Sequence, residues 1–78
     1  MTAPDYYSEA HEVAAMLLER GMFEESNAVE EAIAGGSTAT EILMRLRFTL
    51  MDLIAKEMPE EVTRKTQSLI RELDEALR

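Results

Sequence analysis

The residues with the greatest capacity for chemistry lie around His11, the single histidine of this 78-residue chain. Glu9 and Glu12 stand on either side of it, and a histidine beside a carboxylate can act as a general acid or base. Close neighbours in sequence do not face each other on a helix, and the chain has no nucleophile-elbow pattern. We therefore expect that the protein is not an enzyme and that His11 is an ordinary residue at a helix edge.

Metal binding is a second possibility, because four-helix proteins can hold two iron ions between Glu-x-x-His pairs. Such a centre needs more than one histidine, and Ser8 stands three residues before His11, where the pattern requires glutamate. The chain also lacks cysteine, which excludes thiolate ligands and disulfide bonds. We expect neither a metal ion nor another cofactor.

A third candidate is the segment Gly35-Gly36-Ser37-Thr38, which precedes an apolar run. Free backbone amides at the start of a helix can bind an anion. The segment lacks the lysine and the preceding strand of a phosphate-binding P-loop. It is therefore interpreted as a loop that leads into a helix cap.

Apolar spacing and chain breaks predict four helices that carry these residues. Apolar side chains recur every three or four residues, as in amphipathic helices, and no segment alternates as a half-buried strand does. Gly21, the pair Gly35-Gly36 and Pro59 separate the apolar segments. The predicted helices cover residues 4–20, 22–34, 39–57 and 60–77. The expected fold is all-α, a small four-helix bundle in one domain, 1–78, with a central apolar third helix.

Two of the predicted helix starts carry capping signals. Thr2 is expected to cap the first helix, with Pro4 in its opening turn and Asp5 near the positive end of the helix dipole. Thr38 is followed three residues later by Glu41, which is the capping-box pattern. Both signals precede apolar runs, so they predict where the helices begin.

The third helix has two apolar faces when its residues are placed at 100° intervals. Six aliphatic side chains fall on one side and are expected to form the core: Ile42, Leu43, Leu46, Leu50, Leu53 and Ile54. A second apolar line holds Met44, Phe48, Met51 and Ala55, with Arg47 and Met58 at its edge. We call Met44, Phe48 and Met51, with Arg47 beside them, the apolar stripe.

Two interpretations of the apolar stripe remain open from the sequence. A helix that is apolar nearly all round is usually buried, so the other three helices can cover the stripe. Alternatively the stripe is exposed and binds a partner protein or a second copy of the chain. Methionine, aromatic residues and arginine are all enriched in protein interfaces, which favours that alternative.

The net charge of −8 limits the classes of partner. Nucleic-acid binding needs clustered lysine and arginine, and an anionic membrane surface repels an acidic protein. No stretch has the length and apolarity of a membrane span, and the first residues lack the pattern of a signal peptide. We expect a cytoplasmic protein that binds neither nucleic acid nor membranes.

The negative charge is concentrated in the first half of the chain. Residues 1–40 contain eight acids against Arg20 alone, a net −7, whereas residues 41–78 contain eight acids and seven bases. Six glutamates are expected to form an acidic face: Glu12, Glu19, Glu24, Glu25, Glu30 and Glu31. Such a face is either merely solvated or attracts a basic partner and accelerates its association.

These observations predict a small acidic protein-interaction module that inhibits a basic protein by covering its surface. Immunity proteins and antitoxins that cover the phosphate-binding cleft of a nuclease are of this type, although the sequence carries no motif of such a family. The alternative prediction is a homodimeric structural or regulatory protein whose contact is the apolar stripe on the third helix.

Overall fold

The chain folds into four α-helices in the computed structural model, which describes residues 5–78. They are α1 (Tyr6–Glu19), α2 (Phe23–Ala34), α3 (Ala39–Ile54) and α4 (Glu60–Ala76). No strand is present between residues 5 and 78. The predicted all-α four-helix bundle is confirmed.

The four helices form a closed ring in chain order. α2 packs on α1, α3 packs on α2, and α4 packs on both α3 and α1. α3 therefore has two main neighbours, as each of the other helices has, and it is not enclosed at the centre as its composition led us to expect. Because two neighbours cover only part of a helix, one side of α3 faces outward.

The core is aliphatic and receives side chains from every helix. The largest fully buried apolar side chains are Val13, Leu17, Val29, Leu46, Leu50, Val62, Leu69 and Leu73. Ser26 is also buried, and its hydroxyl donates a 2.7 Å hydrogen bond to the carbonyl oxygen of Ala14. A buried hydroxyl without a partner is costly, so this bond offsets the desolvation of Ser26 and ties α2 to α1.

The turn between α1 and α2 requires glycine at position 21. Gly21 has φ = 76°, in the left-handed region that residues with a Cβ disfavour. Its amide donates to the carbonyl of Leu18, and the amide of Met22 donates to the carbonyl of Leu17. This bond pattern is the Schellman motif, which satisfies carbonyls at the end of a helix. The prediction that Gly21 stops the first helix is confirmed.

Two helix starts have side-chain caps. The amide of Ser8 donates to Asp5 Oδ1 at 3.1 Å, so Asp5 is the N-cap of α1, and the helix begins at Tyr6 rather than at residue 4. The expected roles of Thr2 and Pro4 lie outside the described residues. The amide of Glu41 donates to Thr38 Oγ1 at 3.1 Å, which confirms Thr38 as the predicted cap of α3.

α3 ends at Ile54, three residues earlier than expected. Pro59 disfavours helical geometry only at the residue before it. The helix nevertheless ends earlier, because the amide of Lys56 donates to the carbonyl of Leu53, a 3₁₀-type bond that spans three residues instead of four. The shortened helix lets Met58 turn inward, where it packs against the core. Met58 therefore does not extend the apolar stripe, contrary to the sequence interpretation.

Candidate protein-binding surfaces

The apolar stripe lies on the outward side of α3. Phe48 is 76% exposed, Met44 59% and Met51 42%. On the opposite side, Leu46 and Leu50 are fully buried. The core face was thus identified correctly, whereas the interpretation that other helices cover the stripe is wrong within the described chain. The physical reason is the ring arrangement, in which α3 contacts mainly α2 and α4.

Open hollows flank the stripe on both sides. One, of about 480 Å³, lies towards α2 and is lined by Ala28, Glu31, Ala32, Met44, Arg45, Phe48 and Thr49. The other, of about 450 Å³, lies towards the end of α4 and is lined by Thr40, Met44, Arg47, Phe48 and Leu77. Met44 and Phe48 border both hollows, so they stand between them as a raised apolar edge. Such a shape favours insertion of complementary side chains from another protein.

Cations on α3 are held by the neighbouring helices. Arg47 forms an ion pair with Asp74 of α4, and Arg45 Nε donates to the carbonyl oxygen of Ala32 in α2 at 3.4 Å. The two contacts lie on opposite flanks of α3 and leave the apolar stripe between them. Arg47 thus borders the stripe, as the sequence predicted, but its charge is already balanced within the chain.

Three of the six predicted acidic-face residues contact basic side chains that are distant in the sequence. Glu12 lies 3.3 Å from Lys65 Nζ and Glu25 3.4 Å from Lys56 Nζ. Glu30 lies 2.7 Å from His11 Nδ1, a contact that sequence reasoning missed because the two residues are nineteen positions apart. The partners of these carboxylates lie in three different parts of the bundle, namely α4, the turn after α3, and α1. The carboxylates do not form one continuous acidic face.

The other three predicted acidic residues point to solvent. Glu19, Glu24 and Glu31 are exposed, and none has a cationic partner within residues 5–78. Glu31 accepts a 3.3 Å hydrogen bond from Asn27. Glu24 and Glu31 are seven residues apart, so they lie on nearly the same side of α2. The acidic surface available to a partner is therefore smaller than predicted and centred on α2.

An apolar pair adjoins this surface at the turn between α1 and α2. Phe23 is 64% exposed and Leu18 53%. Leu18 lies seven residues after His11 on α1, and Phe23 lies seven residues before Glu30 on α2. Residues seven apart lie on nearly the same side of a helix. Because His11 contacts Glu30, Leu18 and Phe23 also lie along the boundary between α1 and α2.

We call Leu18, Glu19, Phe23 and Glu24 the acidic corner. Phe23 is not among the site residues predicted from the sequence. A signal was present, since Phe23 lies off the inward line of α2, which holds Met22, Ser26, Val29 and Ile33. The corner joins an exposed aromatic ring to exposed carboxylates, a combination suited to contact with a basic protein surface.

A cluster of charged groups fills the boundary between α1 and α4. Lys65 Nζ lies 3.5 Å from Glu9 and 3.3 Å from Glu12. Burial lowers the pKa of Lys65, but hydrogen bonds to and charges on Glu12 and Glu9 outweigh it and leave that pKa raised. Burial, and then the neighbouring carboxyl group of Glu9, raise the pKa of Glu72.

Metal centres and membrane-spanning helices are two further kinds of functional feature. No group of three or more His, Asp or Glu side chains between residues 5 and 78 is arranged to hold a metal ion. None of the helices described is both long and apolar enough to cross a membrane. Exposed surfaces are therefore the features on which a functional proposal can be built.

No protein-family model, curated protein or solved structure matches the chain in comparisons with known proteins. We therefore infer function from the surfaces of the chain itself. Two are distinct: the acidic corner at the turn between α1 and α2, and the apolar stripe on α3. They differ in charge, because α2 carries four acids and no base, whereas α3 carries two acids and two bases.

Proposed function

We propose that the chain is a non-enzymatic protein-interaction module that occludes a basic surface of a partner protein, in the manner of an inhibitor or immunity-type protein. The observation that carries the proposal is the acidic corner, where Phe23 is exposed beside Glu24 and is not covered by the described residues 5–78. The partner is a protein that presents an apolar pocket within a cluster of lysine and arginine side chains.

Electrostatics provides the attraction in this proposal. α1 and α2 contain seven acids and no lysine or arginine, and Glu19, Glu24 and Glu31 have no cationic partner in the described chain. A surface of this kind raises the association rate of a basic protein, and salt reduces the effect. The paired residues contribute less, because lysines offset the charge of Glu12 and Glu25 and the carboxylate of Glu30 is engaged by His11.

Phe23 and Leu18 supply the contact area that holds the complex together. Buried aromatic side chains are frequent interface hot spots, and removing one weakens binding mainly by increasing the dissociation rate. Charges at the rim act mainly on the association rate. The proposal therefore assigns separable kinetic roles to the apolar and the acidic members of the corner.

The test begins with capture of partners from an extract of cells that produce the protein, followed by purification of the captured protein. We expect a stoichiometric complex whose association rate falls as salt is added. Glu24→Lys with Glu31→Lys should slow association about tenfold at low salt, and Phe23→Ala should accelerate dissociation about tenfold or more. Surface plasmon resonance with the purified partner measures both rates.

A matched control changes net charge equally at another place. Glu60 and Glu75 are exposed on α4, and reversing both to lysine should affect the association rate much less than reversing Glu24 and Glu31. The proposal is wrong if the two double variants behave alike, or if Phe23→Ala leaves the dissociation rate unchanged.

A further inference from the structure

We infer that the apolar stripe is a homodimer contact, in which α3 of one chain packs antiparallel against α3 of a second copy across a two-fold axis near Phe48. This goes beyond the proposed function, because it concerns a different surface and needs no other protein. The inference rests on two features of α3: an exposed apolar line, and charges beside it whose order pairs opposite signs when a second α3 runs in the opposite direction.

The charge of α3 is the first argument. The chain carries −8, so most ways of bringing two copies together place like charges side by side. α3 is an exception, since Glu41, Arg45, Arg47 and Asp52 balance one another. By contrast, α1 and α2 carry three and four acids with no lysine or arginine, and α4 has five acids against three bases. Contact through α3 therefore meets the least repulsion.

The order of the charges along α3 is the second argument. Glu41 and Arg45 precede Phe48 by seven and three residues, whereas Asp52 and Lys56 follow it by four and eight. Reversal about Phe48 places each residue near those at about the same distance on the other side, within one residue or about 1.5 Å along the helix. Arg45 then lies near Asp52 of the second copy, and Glu41 near Lys56. Each of these pairs joins opposite charges. A two-fold interface uses the same surface on both copies, so that surface must be complementary to itself.

The flanks of the helix also match. At 100° per residue, Glu41, Arg45 and Asp52 fall within about 40° of one another, and Lys56 lies in the turn that follows α3. They mark the flank towards α2, because Arg45 contacts Ala32 and Lys56 contacts Glu25. A two-fold axis perpendicular to two antiparallel helices places the same flank of each helix on the same side of the interface. The charged flank of one copy therefore lies beside the charged flank of the other.

The methionines occupy the opposite flank of α3. Met44 precedes Phe48 by four residues and Met51 follows it by three, so the same reversal sets Met44 against Met51 of the second copy. Methionine adapts its shape to an apolar surface, and Phe48 fills the centre near the axis. The dimer would thus cover the large side chains that the bundle leaves exposed on α3.

The acids on the charged flank are available for such pairing. Neither Glu41 nor Asp52 has an ion-pair partner within residues 5–78. Arg45 and Lys56 keep long, flexible side chains whose contacts with α2 are 3.4 Å each. The Arg45 contact is a long hydrogen bond to the carbonyl oxygen of Ala32, and the Lys56 contact is a long ion pair with Glu25. Long contacts of these kinds contribute little, so both cations can turn towards a second copy.

The experiment measures the mass of the chain in solution by analytical ultracentrifugation over about a hundredfold range of concentration. We expect a concentration-dependent dimer for the wild-type chain. Phe48→Glu should raise its dissociation constant by about thirtyfold, as loss of an interface hot spot does. Phe23→Glu, which changes another exposed phenylalanine, should leave the dissociation constant unchanged. Circular dichroism checks that each variant keeps its helices.

Charge reversal then tests the antiparallel register. Arg45→Glu and Asp52→Lys should each weaken self-association about tenfold, since each creates two repulsive pairs in a symmetric dimer. An equimolar mixture of the two variants should associate as well as the wild type, because Glu at 45 then faces Lys at 52 while the native Arg45 faces the native Asp52. A parallel pairing is recognised from the single variants, because it places Arg45 opposite Arg45 and Asp52 opposite Asp52, and neither reversal then adds repulsion.

Three results would overturn the inference: a wild-type chain that stays monomeric, a Phe48→Glu variant that dimerises normally, or a mixture that fails to recover. Failure of the proposed function is recognised separately. It is measured with another protein and with Phe23 and Glu24 variants, whereas self-association is measured on the chain alone.

Discussion

Among the described residues, Glu72 is the carboxyl group whose charged form is least favoured by its surroundings. Its Oε2 is buried and has no hydrogen-bond partner among residues 5–78. Burial first, and then the neighbouring carboxyl group of Glu9, raise the pKa of Glu72 above its ordinary 4.5, while the charge of Lys65 lowers it in part. The folded protein therefore holds this proton more firmly than the unfolded chain does.

The raised pKa has a defined effect on stability. A carboxyl group whose pKa is raised on folding favours the folded state below its unfolded pKa, and that contribution is lost as pH rises through the folded-state pKa. Glu72→Gln removes the charge but keeps a polar group at the buried position, so it should increase the free energy of unfolding at neutral pH by about 1 kcal/mol or less. The gain over wild type should shrink as pH falls towards about 4.5.

Urea unfolding of wild type and Glu72→Gln at several pH values measures this gain. Glu75→Gln is the matched control, because Glu75 is exposed one turn further along α4 and should change stability little. A loss of stability in Glu72→Gln at neutral pH would mean that attraction to Lys65 outweighs burial, and the prediction would be wrong.

At the scale of the element, the end of α1 depends on one backbone conformation. Nothing lies within 4 Å of a Cβ placed on Gly21, so a substitution there meets only the cost of its φ of 76°. Gly21→Ala should reduce the free energy of unfolding by about 1 kcal/mol. Gly21→Asn should cost less, because asparagine tolerates left-handed geometry better than alanine.

Thermal unfolding followed by circular dichroism compares the two Gly21 variants with wild type. The helix content of the folded state should not change, since the amide bonds of the turn remain possible in both variants. Equal destabilisation by alanine and asparagine would contradict the explanation, because it would show that something other than left-handed geometry sets the cost.

At the scale of the whole molecule, repulsion among the acids competes with the ion pairs between helices. The net charge is −8, and the shortest extent of the bundle is 22 Å. Exposed ion pairs contribute about 0–1 kcal/mol each, whereas an unbalanced charge destabilises the compact state as a whole. We expect repulsion to be the larger effect.

Added potassium chloride should therefore raise the melting temperature by a few degrees between low and roughly 0.15 M salt, where the screening length falls to about 8 Å. Replacing Glu24 and Glu31 by glutamine should reduce this salt dependence, since neither has a cationic partner in the described chain. A melting temperature that falls as salt is added would show instead that the ion pairs dominate.

Local sequence signals determined most of the fold. Gly21 stops α1 and Thr38 caps α3 because such positions depend on backbone preference and on hydrogen bonds to residues close in the chain. The inward line of α3 was likewise evident from periodicity, and Leu46 and Leu50 are buried. The start of α1 and the end of α3 were misplaced by a few residues, since adjacent turns offer competing caps and bonds.

The tertiary structure alone decided which surfaces remain open. Periodicity identified two apolar lines on α3 but not which neighbours would cover them, and the ring of helices left Phe48 outside. Composition likewise counted the glutamates without showing that Glu25 and Glu30 meet Lys56 and His11 across helix boundaries. Exposure and ion pairing depend on side chains far apart in sequence, so they are settled only when the helices pack.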